Sequence, residues 1–214
     1  MSTFRLVDCR CAVCKQTNEY HILASTNAFG SCDLDTRPPE MSRSTMPAWI
    51  QVCPNCGYIS ERIDDDTSIT AEFLKTPEYL SCNGVRFKST LAISFYRYYM
   101  INLQDDKPRD AFFAILHAAW ACDDAEDTEN AKECRKLAIP LLAEFKEADP
   151  ERAETLSLIR ADLMRRSSLF EELKAEYTSI TYSEDLMNKI LAFELQLANR
   201  KDDKCYKVSD IPES

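Results

Sequence analysis

Two cysteine pairs constrain this chain more than any other feature: Cys11-x-x-Cys14 and Cys53-x-x-Cys56. Two residues between cysteines let a knuckle turn aim both sulfurs and several backbone N–H groups at one ion. Two such knuckles make the tetrahedral four-thiolate cage that zinc prefers. The second knuckle has Pro54 to set its turn and Gly57 to supply permissive backbone after it. The first, Cys11-Ala12-Val13-Cys14-Lys15, lacks both aids. The spacing predicts one metal on Cys11, Cys14, Cys53 and Cys56, with residues 27–46 as an inserted loop. Zinc is expected, and iron is the alternative, because rubredoxin-type electron carriers hold iron on the same pair of knuckles. Four thiolates leave no open coordination position, so zinc there holds the fold together and hydrolyses nothing.

The other cysteines divide by position. Cys9 sits beside the first knuckle and could replace Cys11, and Cys32 could serve a second or alternative site, so both are candidate additional ligands. Cys82, Cys122, Cys134 and Cys205 have no partner spacing and read as small buried hydrophobes. With ten cysteines, the redox compartment matters. Arg5, Asp8 and Arg10 interrupt any basic-then-apolar leader at the start, and the apolar stretches fall short of the ~20 residues that span a bilayer. A cytoplasmic location with reduced thiols and no membrane partner is therefore expected.

Charge narrows the partners. The chain carries 26 basic and 36 acidic side chains, a net charge of −10, and its cysteine-rich first part is no more basic than the rest. Binding duplex nucleic acid by neutralising phosphates needs a dense Lys/Arg face, so a nucleic-acid partner is disfavoured.

Punctuation sets the architecture. There are three glycines, Gly30, Gly57 and Gly84, all before residue 85. We place a boundary near Asp64-Asp65-Asp66-Thr67. Residues 1–66 are expected to form a zinc-ribbon-like metal-binding domain and 67–214 a helical, tetratricopeptide-like domain. The fold class is thus α+β, mostly α: a small zinc-ribbon-like β module, then an array of antiparallel helical hairpins. Strands are predicted at 20–23, 48–52 and through Tyr58-Ile59. Helices are predicted at about 85–103, from Pro108 through Trp120, and over 129–148, 151–166, 170–180 and 184–201. Asp149-Pro150 should separate two of these, with Pro150 in a first turn, and Pro140 should kink the third. Ala161 to Tyr177 follows a tetratricopeptide pattern loosely, with Ser168 where glycine is usual.

Enzyme constellations are thin. Three scattered glycines cannot build a phosphate loop, and two histidines, His21 and His117, offer little for triads. His21 reads as a surface strand residue and His117 as a core histidine on an apolar helix face. The most unusual loop is Cys32-Asp33-Leu34-Asp35-Thr36-Arg37-Pro38-Pro39. Asp33 and Asp35 would share one side of an extended segment, near enough to Arg37 for pairing or for holding a cation. A solvated loop is the plainer account of it. Arg165-Arg166 likewise reads as a helix-end charge pair before it reads as an anion site. No catalytic residue is assigned, and an enzyme is disfavoured.

The chain resembles the bacterial family catalogued as "domain of unknown function 2225". The resemblance rests on Cys11-x-x-Cys14, Asp33-Leu34-Asp35-Thr36-Arg37, Trp49 through Tyr58, Ala161 through Arg166 with Phe170, and Lys201-Asp202-Asp203. It implies a zinc-ribbon-like start joined to tetratricopeptide-like helices, and it implies no activity.

The expected function is a cytosolic zinc-binding protein that acts as an interaction or scaffold module for a protein or peptide partner. Grooves between helical hairpins suit such a partner, and Tyr96, Tyr98 and Tyr99 are candidate contacts. A rubredoxin-like iron redox protein and a nucleic-acid-associated zinc ribbon are the alternatives.

Overall fold

A computed structural model describes residues 2–148 and 152–212, with side chains omitted over 145–148. The expected Asp149-Pro150 boundary lies outside the described residues. The protein is α+β and mostly helical. A β-hairpin, β1 (Thr3–Arg10) and β2 (Thr17–Ser25), leads to a short helix α1 (Glu40–Arg43) and a second small antiparallel pair, β3 (Gln51–Val52) and β4 (Ile59–Ser60). The helices follow: α2 (Pro77–Ser81), α3 (Thr90–Gln104), α4 (Pro108–Asp124), α5 (Thr128–Ala148), α6 (Ala153–Arg166), α7 (Phe170–Tyr177) and α8 (Asp185–Asn199).

Several sequence expectations shift for physical reasons. The strand over 20–23 extends to Thr17–Ser25 because it pairs with β1, Val7 opposite Tyr20 and Cys9 opposite Asn18. Sequence reading missed β1, whose Phe4 and Leu6 point to solvent at 47% and 52% exposure. The strand expected over 48–52 shrinks to Gln51–Val52, since Met46–Ala48 forms a 3-10 turn with Pro47 at its start. The first long helix begins at Thr90, five residues later than expected, where the Ser89 side chain accepts from Ala92 N–H. α5 continues through Pro140 without a break.

Two apolar cores meet at α6. One cluster runs from Cys11, Cys53 and Tyr58 through Tyr79, Phe95, Phe112 and Trp120 to Leu156, Ile159 and Leu163. The other gathers Leu158, Ala161 and Met164 with Leu173, Tyr177, Tyr182 and Leu191. Helical periodicity puts the two sets on different faces of α6, so one helix serves both cores. The first cluster packs the knuckle cysteines directly against the helices, and Tyr79 Oη donates to Gly57 O at 2.7 Å to tie α2 to the second knuckle.

The candidate contact residues Tyr96, Tyr98 and Tyr99 lie in this core at 4–8% exposure, which removes them from any partner surface. His117 is boxed by the rings of Trp49, Phe95, Phe113 and Trp120. Burial holds its pKa down to about 3, so the ring is neutral. No helix among the described residues is long and apolar enough to cross a membrane.

Candidate metal centre

The two knuckles superpose in their hydrogen bonding, residue for residue. Cys11 N donates to Gln16 O and Lys15 N to Cys11 O; Cys53 N donates to Tyr58 O and Gly57 N to Cys53 O, all within 2.8–3.0 Å. Gly57 has φ +76° and Lys15 has φ +62°. The first knuckle therefore closes without glycine by forcing a lysine into the left-handed region. Arg10 Nε donates to Lys15 O and Lys15 Nζ to Ala12 O, which help hold that turn.

This geometry brings the four predicted sulfurs together. They lie within 4.8 Å of one another; Cys11 and Cys56 Sγ are 3.7 Å apart, and Cys14 and Cys53 Sγ are 3.6 Å apart. A tetrahedral ion with ~2.3 Å metal–sulfur bonds requires sulfurs about 3.8 Å apart. Two opposed pairs match that spacing, and the cluster could thus hold a metal ion. Backbone dipoles favour thiolates there. Burial pushes the Cys53 thiol up, but the N–H groups of Cys56 and Asn55 and the neighbouring cysteines outweigh it and bring it down to about 7. Burial wins at Cys11, which is raised although the N–H groups of Cys14 and Val13 pull the other way, and at Cys56, which is raised although the Tyr58 N–H pulls down. A bound cation would reverse that balance, because it stabilises every thiolate it touches.

The remaining candidates lie elsewhere. Cys9 is half-buried on β1 and Cys32 is exposed; neither belongs to the four-sulfur group. Cys82, Cys122 and Cys134 are buried as expected, whereas Cys205 is exposed, because it falls in the tail after α8 and not in a helix. His21 is exposed on β2.

The loop of Asp33, Asp35 and Arg37 is buried, not solvated. Asp35 Oδ2 accepts from Trp120 Nε1 at 2.8 Å and from Arg166 Nη1 at 2.9 Å, with Arg135 at 3.7 Å. Asp33 pairs with Arg43; the Arg37 guanidinium donates to Asp124 at 2.6 Å, while its backbone N–H donates to Asp35 Oδ1 at 3.2 Å. The C-terminal tail straps the loop: Leu34 N donates to Tyr206 O and Val208 N to Cys32 O. Arg165 and Arg166 are core groups as well. Arg165 donates to Glu194 and Asp162 and to the carbonyls of Asp202 and Lys204. These charges face each other across elements far apart in sequence, which is the arrangement of a clasp.

Sequence reasoning missed two residues of the metal centre. Tyr20, on β2, is 8% exposed, and its hydroxyl meets no protein atom in hydrogen-bond geometry. Burial first, then the neighbouring Cys53, push that hydroxyl up to about 12. Asn18, two residues earlier on the same strand face, accepts from Asn55 Nδ2 at 3.1 Å and leaves its own Nδ2 buried and without a partner. The alternation of β2 was the available signal, since Asn18 and Tyr20 share a side.

No family model, curated protein or solved structure matches the chain. Its class is therefore defined by the fold and the site alone. It is a mostly helical α+β protein whose N-terminal knuckles form a four-cysteine cluster able to hold a metal ion.

Proposed function

We propose that this chain is a cytosolic zinc-binding protein whose four-cysteine site is structural and which acts by holding a protein or peptide partner. The observation that carries the reading is the closed sulfur cage, with separations of 3.6 and 3.7 Å across it. Cys11, Cys14, Cys53 and Cys56 would fill the coordination sphere of a bound zinc, which would then have no open position for Lewis-acid chemistry and would join the two knuckles. The partner half of the reading is supported by an apolar surface crevice of about 450 Å³ beside the hairpin, lined by Phe4, Tyr20, Pro47, Ala48 and Ile50 among others. Val52 at its rim is 43% exposed. Kinship with the domain of unknown function 2225 family belongs to the same proposal, supported by the order of a knuckle module followed by helices.

Elemental analysis of protein purified without added metal, with a visible spectrum of the same sample, tests the metal. One colourless zinc per chain is expected, and Cys53→Ser should abolish it and lower thermal stability. Iron with strong visible bands would replace this reading with a redox one. A chain without metal, or a Cys53→Ser variant of unchanged metal content and stability, defeats it.

A further inference from the structure

We infer that the free edge of β1 is a docking site for an extended peptide of a partner protein, which adds to the hairpin as a third strand and sets a carboxylate against Arg5. The inference rests on the reading that this chain holds a protein or peptide partner, and it names the surface and the partner's chemistry. β1 and β2 form a two-stranded sheet, so one edge of β1 carries main-chain N–H and C=O groups that no described strand pairs. Every residue of β1 is exposed or half-buried. Proteins blunt such edges with proline, charge or cover. From Phe4 to Val7 there is no proline, Arg5 is the one charged residue, and Phe4 and Leu6 stand open to solvent.

The other face of the strand opens on a cleft of about 400 Å³, lined by Arg5, Val7 and Cys9 from β1 and by Glu61, Arg62 and Asp64 after β4. Arg5, Val7 and Cys9 are alternate residues, so the cleft follows one side of the pleat. A strand added to β1 continues the sheet and sends every second side chain to that side, where the cleft receives it. Charge decides what those side chains are. Arg62 is paired with Asp64 and Asp65, at 3.8 and 3.3 Å. Arg5 is exposed and has no ion-pair partner among the described residues. Glu61 belongs to the segment after β4, whereas Arg5 stands on the strand that a partner's backbone would pair with, so the cross-strand contact is Arg5's, and a carboxylate suits it. Val7 favours apolar neighbours. The same geometry argues against a second copy of the chain. Two-fold pairing of β1 with itself is antiparallel and sets residues of one face opposite each other. Arg5 would then meet residues such as Val7 or Cys9 and never Asp8, which lies on the other face, and two chains of net charge −10 repel.

The test pans a display library of random nine-residue peptides on the full chain and measures the enriched peptides by fluorescence polarisation. Apolar residues at alternate positions, with Asp or Glu at one fixed position, are expected. Methylating one alternate set of the peptide's main-chain nitrogens should weaken binding about tenfold or more, and methylating the other set should not, because one set alone faces β1. Arg5→Glu should weaken a glutamate-bearing peptide roughly tenfold, through a lost pair and a new like-charge contact, and the lysine analogue should recover the loss. Equal tolerance of both methylated sets, or unchanged binding of the glutamate peptide to Arg5→Glu, overturns the inference and leaves the partner-holding reading in place. A dimer in analytical ultracentrifugation that Leu6→Glu dissolves gives the edge to a second copy and overturns it too. A library that enriches no peptide defeats the inference together with the peptide-holding reading beneath it. Should Arg5→Glu not fold, hydrogen exchange of the wild-type chain decides the matter. The outward amides between Phe4 and Cys9 should slow when peptide is bound, and unchanged exchange there overturns the assignment.

Discussion

At the scale of single residues, the buried carboxyls set the pH response. Asp162 and Glu194 both lean on Arg165, at 2.6 and 2.5 Å, and each keeps a second oxygen that is buried and unpartnered. One positive charge faces two carboxyls, so a proton shared between them neutralises the set. Burial, then the charge of Asp162, push the Glu194 carboxyl up to about 8 against the pull of Arg165, and Asp162 is raised by burial as well. Raised carboxyls mean that the folded chain holds a proton the unfolded chain has released. That stability is complete below the unfolded value near ~4 and is lost as pH climbs through about 8. Urea unfolding followed from pH 6 to pH 9 should show stability falling. Glu194→Gln, which still accepts from Arg165 and can donate to Asp162, should flatten that fall. An identical slope in the variant would place the titration elsewhere. None of this was legible in the sequence, where Arg165 and Arg166 read as a helix-end charge pair and Glu194 carried no reading. Burial changes what the same letters do.

At the scale of elements, the helix ends explain how a chain with three glycines makes so many turns. α3, α4, α6 and α8 end alike, on Asp106, Glu126, Ser168 and Lys201, each with φ between 54° and 62°. Around each, the next N–H reaches back across the last turn: Lys107 to Asn102 O, Asp127 to Cys122 O, Leu169 to Met164 O and Asp202 to Leu197 O. These are Schellman ends without glycine. Holding an L-residue there costs about 1–2 kcal/mol, and part of that returns if glycine's extra unfolded freedom is counted against it. Glu126 is exposed, with its backbone carbonyl bonded to Lys88. Glu126→Gly should therefore stabilise the protein by roughly 1 kcal/mol in denaturant titration; a loss of stability would show that the side chain does more than occupy the turn. Sequence reading located these breaks well, because Asp, Asn and Ser runs and Pro108 mark them. It saw the unusual residue at Ser168 alone, since the others carry no compositional sign of φ > 0.

At the scale of the whole molecule, the knuckles and the helices share one hydrophobic cluster, with Cys11, Cys53 and Tyr58 packed among the residues that reach α6. Stripping metal with a strong chelator under reducing conditions should then lower the melting temperature of the helical signal as well as that of the knuckles. Far-ultraviolet circular dichroism of stripped and reloaded protein checks this. Helical melting unchanged by metal would mean that the two parts unfold independently. The exposed apolar face of the hairpin, Phe4 and Leu6, lies outside this shared core, so Leu6→Glu should leave the unfolding free energy in denaturant titration within about 0.5 kcal/mol of the wild type.

The sequence by itself determined what depends on neighbours along the chain. The clustering of the four cysteines follows from two CxxC spacings that suit knuckle turns, and the helices follow from apolar periodicity and from breakers such as Pro108. The tertiary structure alone decided what depends on residues far apart. Asp35 against Arg166 and Trp120, Arg165 between Asp162 and Glu194, and the tail clasped on Leu34 are all choices of partner. A side chain's charge, proton and exposure are set by what surrounds it after folding. Local pattern fixes direction along a helix or strand but carries no record of what the next element will bring.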